Sequence, residues 1–313
     1  QATLDFVTAR QEIYPAPGQL PQVTPAGLAA DLARRDFTIN AMALPLDPAG
    51  AGLLDPQGGQ ADLAAGQIRA LHAASFRDDP TRIFRAARYA ARFGFTIEPA
   101  TRAWIGSTQD AEMLDRLTPA RLRQEVLRTL AESDPAPALA LLQQWGVLRA
   151  LDPALTWDGA GAADLRCAAD PASRLTLLLY RLPAAAQARL STRLAIDPRP
   201  ATELATLVAQ GGSLPGRRPS AVAALLRPLA PATLELYGCL APPPIAAVIR
   251  RYQQEWQPVR PHLTGADLRA LGIPPGPRYR QLLEALRDAR LDGALATRED
   301  EIAFVHKLLE AES

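Results

Sequence analysis

"DDPTRIFRAARYAARFGF" (residues 78–95) is the stretch where the chain turns helical. Asp79 can cap a helix and Pro80 suits its first position, because proline has no amide hydrogen to satisfy and a preset φ. Ile83, Ala87 and Ala90 or Ala91 recur at helical spacing, and Gly94 can take the left-handed conformation that closes a helix. "TPARLRQEVLRTLAES" (118–133) and "DPAPALALLQQWGVLRALDP" (134–153) repeat the device with Thr118 before Pro119 and Asp134 before Pro135. From Gln60 onward the pattern is almost wholly helical, without a fixed repeat. Upstream it differs. "ATLDFVTAR" (2–10) alternates and reads as a strand, and "PAPGQLPQVTP" (15–25) reads as a loop. "AGLAADLARRDFTINAMAL" (26–44) reads as a helix running toward a strand. "ALPLDPAGAGLLDPQGG" (43–59) reads as two short strands around a turn. The expected fold class is α+β, a small mixed piece ahead of a long all-α region.

Composition narrows the function only a little. Hydrophobic residues make up 48% of the 313, enough for a packed core. Net charge is +1, so any nucleic-acid partner must be met by local patches. Lys307 is the only lysine among 34 basic residues, a bias that matches GC-rich coding and also suits forked recognition of phosphates and base edges. Cys167 and Cys239 lack any CxxC or histidine-rich context, which speaks against zinc. With two cysteines no multi-bridge framework is available, and no stretch reads as a membrane span or a signal peptide. A cytoplasmic location is expected, with no protein partner evident. The chain starts at Gln1 rather than Met, inside an apparent strand, and the expectation is that sequence upstream is missing.

Two clusters carry candidate chemistry. In "DLARRDFTINAMA" (31–43), Arg34 and Arg35 offer forked donors to anionic oxygens. Asp36 and Asn40, four apart, share a helix face if the helix persists. There they can hold a hydroxyl, or Asp36 can orient an arginine; an exposed Arg-Asp pair is the bland reading. In "SFRDDPTRIFRAARYAARFGF" (75–95), Asp79 and Arg82 lie three apart at a helix start, a pure acceptor beside a pure donor. One aspartate oxygen cannot both cap the helix and bind a ligand, so Asp78 or Ser75 is the alternative cap. Arg85 and Arg88 continue the series toward a ligand or along a solvated face. Asp55, Gly58, Gly59 and Asp62 read as a structural joint, built on a tight turn, that fixes the first, mixed piece against the helices that follow it.

Together with "LLDPQGGQADLAAGQIRAL" (53–71), in this order and spacing, these segments resemble the class II tRNA nucleotidyltransferase and bacterial poly(A) polymerase family. "LTGADLRALGIPPGPRYRQLLEALRDARLDG" (263–293) is similar to the tail of bacterial members; residues from about 152 to 256 match loosely. The resemblance implies 1–71 as the C-terminal part of a nucleotidyltransferase head. It implies 72–132 as a helical neck that recognises the base, and 133–313 as a helical body and tail that bind tRNA. It implies Mg²⁺, with CTP and ATP as substrates. Nucleotide-binding roles fall on Arg34, Arg35, Asp36, Asn40, Asp79, Arg82, Arg85 and Arg88. The family's metal-binding Asp-x-Asp lies upstream of the strand read at 4–8 and is absent here. Asp5 stands alone and is no substitute, so the chain by itself is expected to be inactive.

The resemblance also implies how a base is chosen. Cytosine and adenine present an amine beside an acceptor nitrogen; uracil and guanine present a carbonyl beside an N–H. An Asp-Arg pair accepts the first order and rejects the second, by up to roughly 10⁴-fold where a wrong base strands buried charge. Family members that add all three nucleotides commonly hold a basic, aromatic flexible loop where residues 11–30 of this chain carry four prolines and no basic residue. Proline stiffens a chain, so partial addition, of CC in particular, is the expectation. Rivals are a poly(A) polymerase, a non-catalytic RNA-binding protein and a helical scaffold.

Overall fold

The computed structural model describes residues 6–46, 52–107 and 111–311, and divides into two units, Gln1–Pro198 and Arg199–Ser313. In the first, β1 (Arg10–Ile13) pairs antiparallel with β2 (Gln22–Pro25), Arg10 opposite Pro25 and Ile13 opposite Gln22. The first strand thus starts where the expected one ended: residues 6–9 are irregular, and 1–5, with Asp5, lie outside the described residues. The second strand falls inside the expected loop. Pro21 precedes it and Pro25 ends it, a position where a missing N–H costs no ladder bond.

The expected helix over 26–44 is also cut short. Helix α1 (Leu28–Ala33) gives way at Arg34, and a 3-10 turn covers Thr38–Asn40. The reason is local. Asp36 Oδ1 accepts the Phe37 amide (3.0 Å), offering the backbone an alternative to the helix ladder. Ala43 and Leu54 form an antiparallel bridge where two strands were expected, and the turn at 47–51 lies outside the described residues. Asp55 then caps α2 (Gly59–Ala65), accepting from the amides of Gly59 (2.6 Å) and Gln60 (2.9 Å). Gly58 is left-handed at φ 74°, and a Cβ on Gly59 would lie 2.3 Å from the Thr38 carbonyl oxygen. Asp62 accepts from Thr38 Oγ1 (2.7 Å) and pairs with Arg69, so this motif joins α2 to the 3-10 turn.

Strand β3 (Gln67–Ile68) pairs in parallel with β4 (Thr96–Ile97), an interruption too short to show as periodicity. Between them lie α3 (Ser75–Asp78) and α4 (Thr81–Phe93), which ends at left-handed Gly94 as the sequence predicts. The remaining helices of this unit are α5 (Pro99–Gly106), α6 (Ala111–Asp115), α7 (Pro119–Leu130), α8 (Ala136–Gln144), α9 (Val147–Leu151), α10 (Ala162–Leu165), α11 (Pro171–Leu179) and α12 (Ala184–Leu194). Phe84, Leu139, Leu142, Leu148 and Leu190 bury their side chains in its core.

The second unit is helical: α13 (Arg199–Gln210), α14 (Pro219–Leu226), α15 (Pro231–Leu240), α16 (Pro243–Arg251) with a π turn over Tyr252–Trp256, α17 (Gly265–Ala270), α18 (Pro277–Leu291) and α19 (Arg298–Ala311). Leu263, Leu268, Leu282, Leu286 and Val305 form a core. Buried Glu301 serves it by accepting the amides of His262 and Leu263 and pairing with Arg290. Among the described residues no helix is long and apolar enough to cross a membrane.

Candidate functional site

A cleft of about 530 Å³ opens in the first unit between β1, the end of α1, α4 and α7. Seven of the eight sequence-predicted residues line it: Arg34, Arg35, Asp36, Asn40, Asp79, Arg82 and Arg85. Arg88 does not. Its guanidinium is buried and bound to Glu125 Oε2 at 2.7 Å, holding α4 against α7.

Buried Asp31 lies behind the lining and holds two of its arginines. Its Oδ1 accepts from Arg34 Nη2 (2.6 Å) and the Arg10 amide (3.2 Å), and its Oδ2 from Arg35 Nη2 (2.6 Å). Burial alone would push the Asp31 carboxyl up, but the Arg35 and Arg34 guanidiniums and the Arg10 amide outweigh it and hold it at about 2. Glu12 takes Arg34 Nη1 at 2.8 Å and the Tyr14 hydroxyl at 3.1 Å. Burial pushes the Tyr14 phenol up to about 12; Arg82 opposes that rise, and Glu12 and Asp79 add to it. Asp36 pairs with Arg85 Nε through one oxygen and accepts Asn40 Nδ2 (2.9 Å) through the other, so of the two roles open to it in sequence it orients an arginine.

Asp79 and Arg82 are held differently. Asp79 Oδ1 accepts the Thr81 amide (3.1 Å), the Thr81 hydroxyl (2.7 Å) and Arg121 Nη2 (3.0 Å). Each of these bonds ends on Oδ1; among the described residues Oδ2 takes none. One oxygen is thus committed to Thr81 and Arg121 while the other is not. Arg82 donates to Ser75 Oγ (2.7 Å) and to the Arg34 carbonyl (2.9 Å), both neutral acceptors. Arg34, Arg35, Arg85 and Arg128 each pair with a carboxylate, so among the described residues Arg82 is the cleft guanidinium whose charge stays uncompensated.

Glu12, Tyr14, Asp31 and Arg121 were not singled out from the sequence. For three of them a signal existed. Arg10, Glu12 and Tyr14 alternate along one strand face, and Asp31 stands three and four residues before Arg34 and Arg35. Arg121 reaches Asp79 across 42 residues, and no local pattern predicts that.

Residues 1–69 match the poly A polymerase head domain, and 94–157 match the probable RNA and SrmB-binding site of polymerase A. The chain is 34% identical to the CC-adding tRNA nucleotidyltransferase of Deinococcus radiodurans over 95% of its own length and 71% of that protein's. The chain belongs to the tRNA nucleotidyltransferase family. It is also 32% identical to the A-adding tRNA nucleotidyltransferase of Geobacter sulfurreducens, over 98% of this chain, which spans only 38% of that protein. Its fold superposes on a CCA-adding enzyme in an apo form with a TM-score of 0.78 and 26% identity, covering 96% of this chain and 76% of that one. Nucleotidyltransferases generally use a divalent metal. Among the described residues no three His, Cys, Asp or Glu side chains converge to hold one, and Glu12, Asp36, Asp79 and Glu125 of the cleft are each bound to arginine. These residues do not fit a metal centre.

Proposed function

We propose that the cleft binds a nucleoside triphosphate and that the protein adds C, A or both to the 3′ end of tRNA. The observation that carries this reading is the pairing of an uncommitted Asp79 oxygen with the uncompensated Arg82 guanidinium on one cleft wall. Asp79 Oδ2 accepts the exocyclic amine of cytosine or adenine, and Arg82 donates to the adjacent ring nitrogen. Uracil and guanine meet both groups with the wrong polarity. Arg34 and Arg35 face the triphosphate, with Asp31 and Glu12 fixing the angle of their forks. Mg²⁺ is the cation expected of the family's chemistry, and the described residues are assigned no step through it. The division into head, neck and tRNA-binding body, and a cytoplasmic location, go with this reading.

Partial addition is the finer form. The loop over 14–21 is tied to its surroundings: the Gly18 amide donates to the Asp78 carbonyl (3.2 Å), and Arg121 Nη1 donates to the Gly18 carbonyl (2.8 Å). A pinned, proline-bearing loop resists the rearrangement that a switch from cytosine to adenine needs, which favours CC addition. Two measurements test the reading. The chain, joined to an upstream segment that carries the family's Asp-x-Asp, is supplied with Mg²⁺ and with tRNAs lacking CCA, CA or A, together with CTP or ATP. Efficient A addition to the last overturns CC addition. Asp79→Ala should weaken CTP or ATP binding and relax rejection of UTP and GTP. An unchanged preference in the folded variant removes the base-reading role.

A further inference from the structure

Ser75 opens α3, fully buried and outside the lining of the cleft. Its position is fixed from both directions. Its amide donates to the His72 carbonyl (3.1 Å), and the next residue, Phe76, is buried in the core. The two acceptors of Ser75 then serve different members of one pair. Its carbonyl accepts the Asp79 amide (3.2 Å), and its hydroxyl oxygen accepts Arg82 Nη1 (2.7 Å). One residue thus holds the backbone of the acceptor and the side-chain tip of the donor. The Arg34 carbonyl takes Nη2 of the same guanidinium (2.9 Å), so the fork is gripped at both tips. Neither grip is a carboxylate. A guanidinium carries five donors. Two are spent on these neutral oxygens, and among the described residues no protein acceptor takes the rest. A carboxylate in place of the hydroxyl would hold Arg82 as firmly, but it would cancel the charge that a ligand meets.

We propose that Ser75 is a positioning residue for base selection. It sets where the Arg82 donors stand relative to the Asp79 oxygen, and so how strictly the cleft rejects uracil and guanine. The role rests on the base reading proposed above. A guanidinium held at both tips presents its free donors in one direction, toward the ring nitrogen beside an amine. With Nη1 released, it can turn and donate to the carbonyl that uracil places where cytosine has its amine. The wrong base then gains a partner and the right base loses a preset one. Loss of the Ser75 hydroxyl therefore costs selectivity rather than affinity in general.

The test uses the whole chain. Wild type, Ser75→Ala and Ser75→Cys are each titrated with labelled CTP, ATP, UTP and GTP. The cysteine keeps nearly the size of serine with a sulfur that accepts poorly, so it decides the matter if circular dichroism shows that Ser75→Ala does not fold. In a folded variant the ratio of CTP to UTP affinity, and of ATP to GTP, should fall about tenfold or more. The fall should come from weaker CTP and ATP together with stronger UTP and GTP. Ratios equal to wild type, or an equal loss for all four nucleotides, overturn the role of Ser75, while the wild-type preference keeps the base reading standing. A wild type that binds the four alike, or none of them, overturns the base reading and the role of Ser75 with it.

Discussion

A carboxylate buried beside two arginines feels opposed pulls on its proton. At Asp31 the arginines win and hold its pKa at about 2. An ordinary aspartate in the unfolded chain titrates near ~3.9. The folded value is the lower one, so Asp31 adds stability above the unfolded value, and that stability is lost as pH falls through the folded one. Acid should therefore loosen the contact between β1 and α1 between about pH 4 and pH 2. Asp31→Asn should flatten that part of the acid-unfolding curve and, at neutral pH, weaken triphosphate binding by freeing Arg34 and Arg35. Tryptophan fluorescence against pH and a nucleotide titration measure the two effects. An acid transition identical to wild type would contradict the assignment.

At the scale of elements, α4 and α7 meet through charge as well as apolar contact. Arg88 with Glu125 is buried on both sides, and Arg92 with Glu132 adds a second tie. Removing one member of a buried pair costs about 3–5 kcal/mol because the other is stranded. Arg128 also bonds Glu125, so Arg88→Met should fall at the low end, about 3 kcal/mol in a denaturant titration, without altering base preference. Helices were the most legible part of the sequence. Thr118 caps α7 before Pro119, and Gly94 closes α4, because caps and prolines act within one turn. Strands were poorly legible. β2 is four residues that follow one proline and end on another, and β3 with β4 is a two-residue parallel pair formed at a distance of 29 positions. Arg88 was misplaced because helical spacing gives a face but not which neighbour covers it.

For the whole molecule, the balance of charge bears on the proposed contact with RNA. Net charge is +1, so no overall field gathers a polyanion and the work falls to local arginine clusters. Lys307 is the only lysine, which allows a clean chemical dissection. Acylation of amines should leave tRNA and nucleotide binding unchanged. Dicarbonyl reagents directed at arginine should abolish both, and bound nucleotide should protect the cleft. Loss of binding on acylation alone would place Lys307 or the terminal amine in the contact. The lining of the cleft was legible where both residues fell within about one helix turn, as with Asp79 and Arg82. It was not legible where a loop or a later helix supplied the partner, as Arg121 does to Asp79.

The two oxygens of a carboxylate are equivalent in solution, and at position 79 they are not. Three donors crowd Oδ1 and, among the described residues, none meets Oδ2. An amide placed there has only one tolerable orientation, oxygen inward and NH₂ outward, since the reverse sets a donor against three donors. Asp79→Asn thus swaps the polarity of the outward atom without changing its shape. Facing the amine of cytosine or adenine it opposes donor with donor, so it should use CTP and ATP less well than Asp79→Ala, which merely leaves a gap. Arg82 still repels the N–H of uracil, so the asparagine should not gain UTP in return. A side chain that differs from the original by one atom would then read less than no side chain at all.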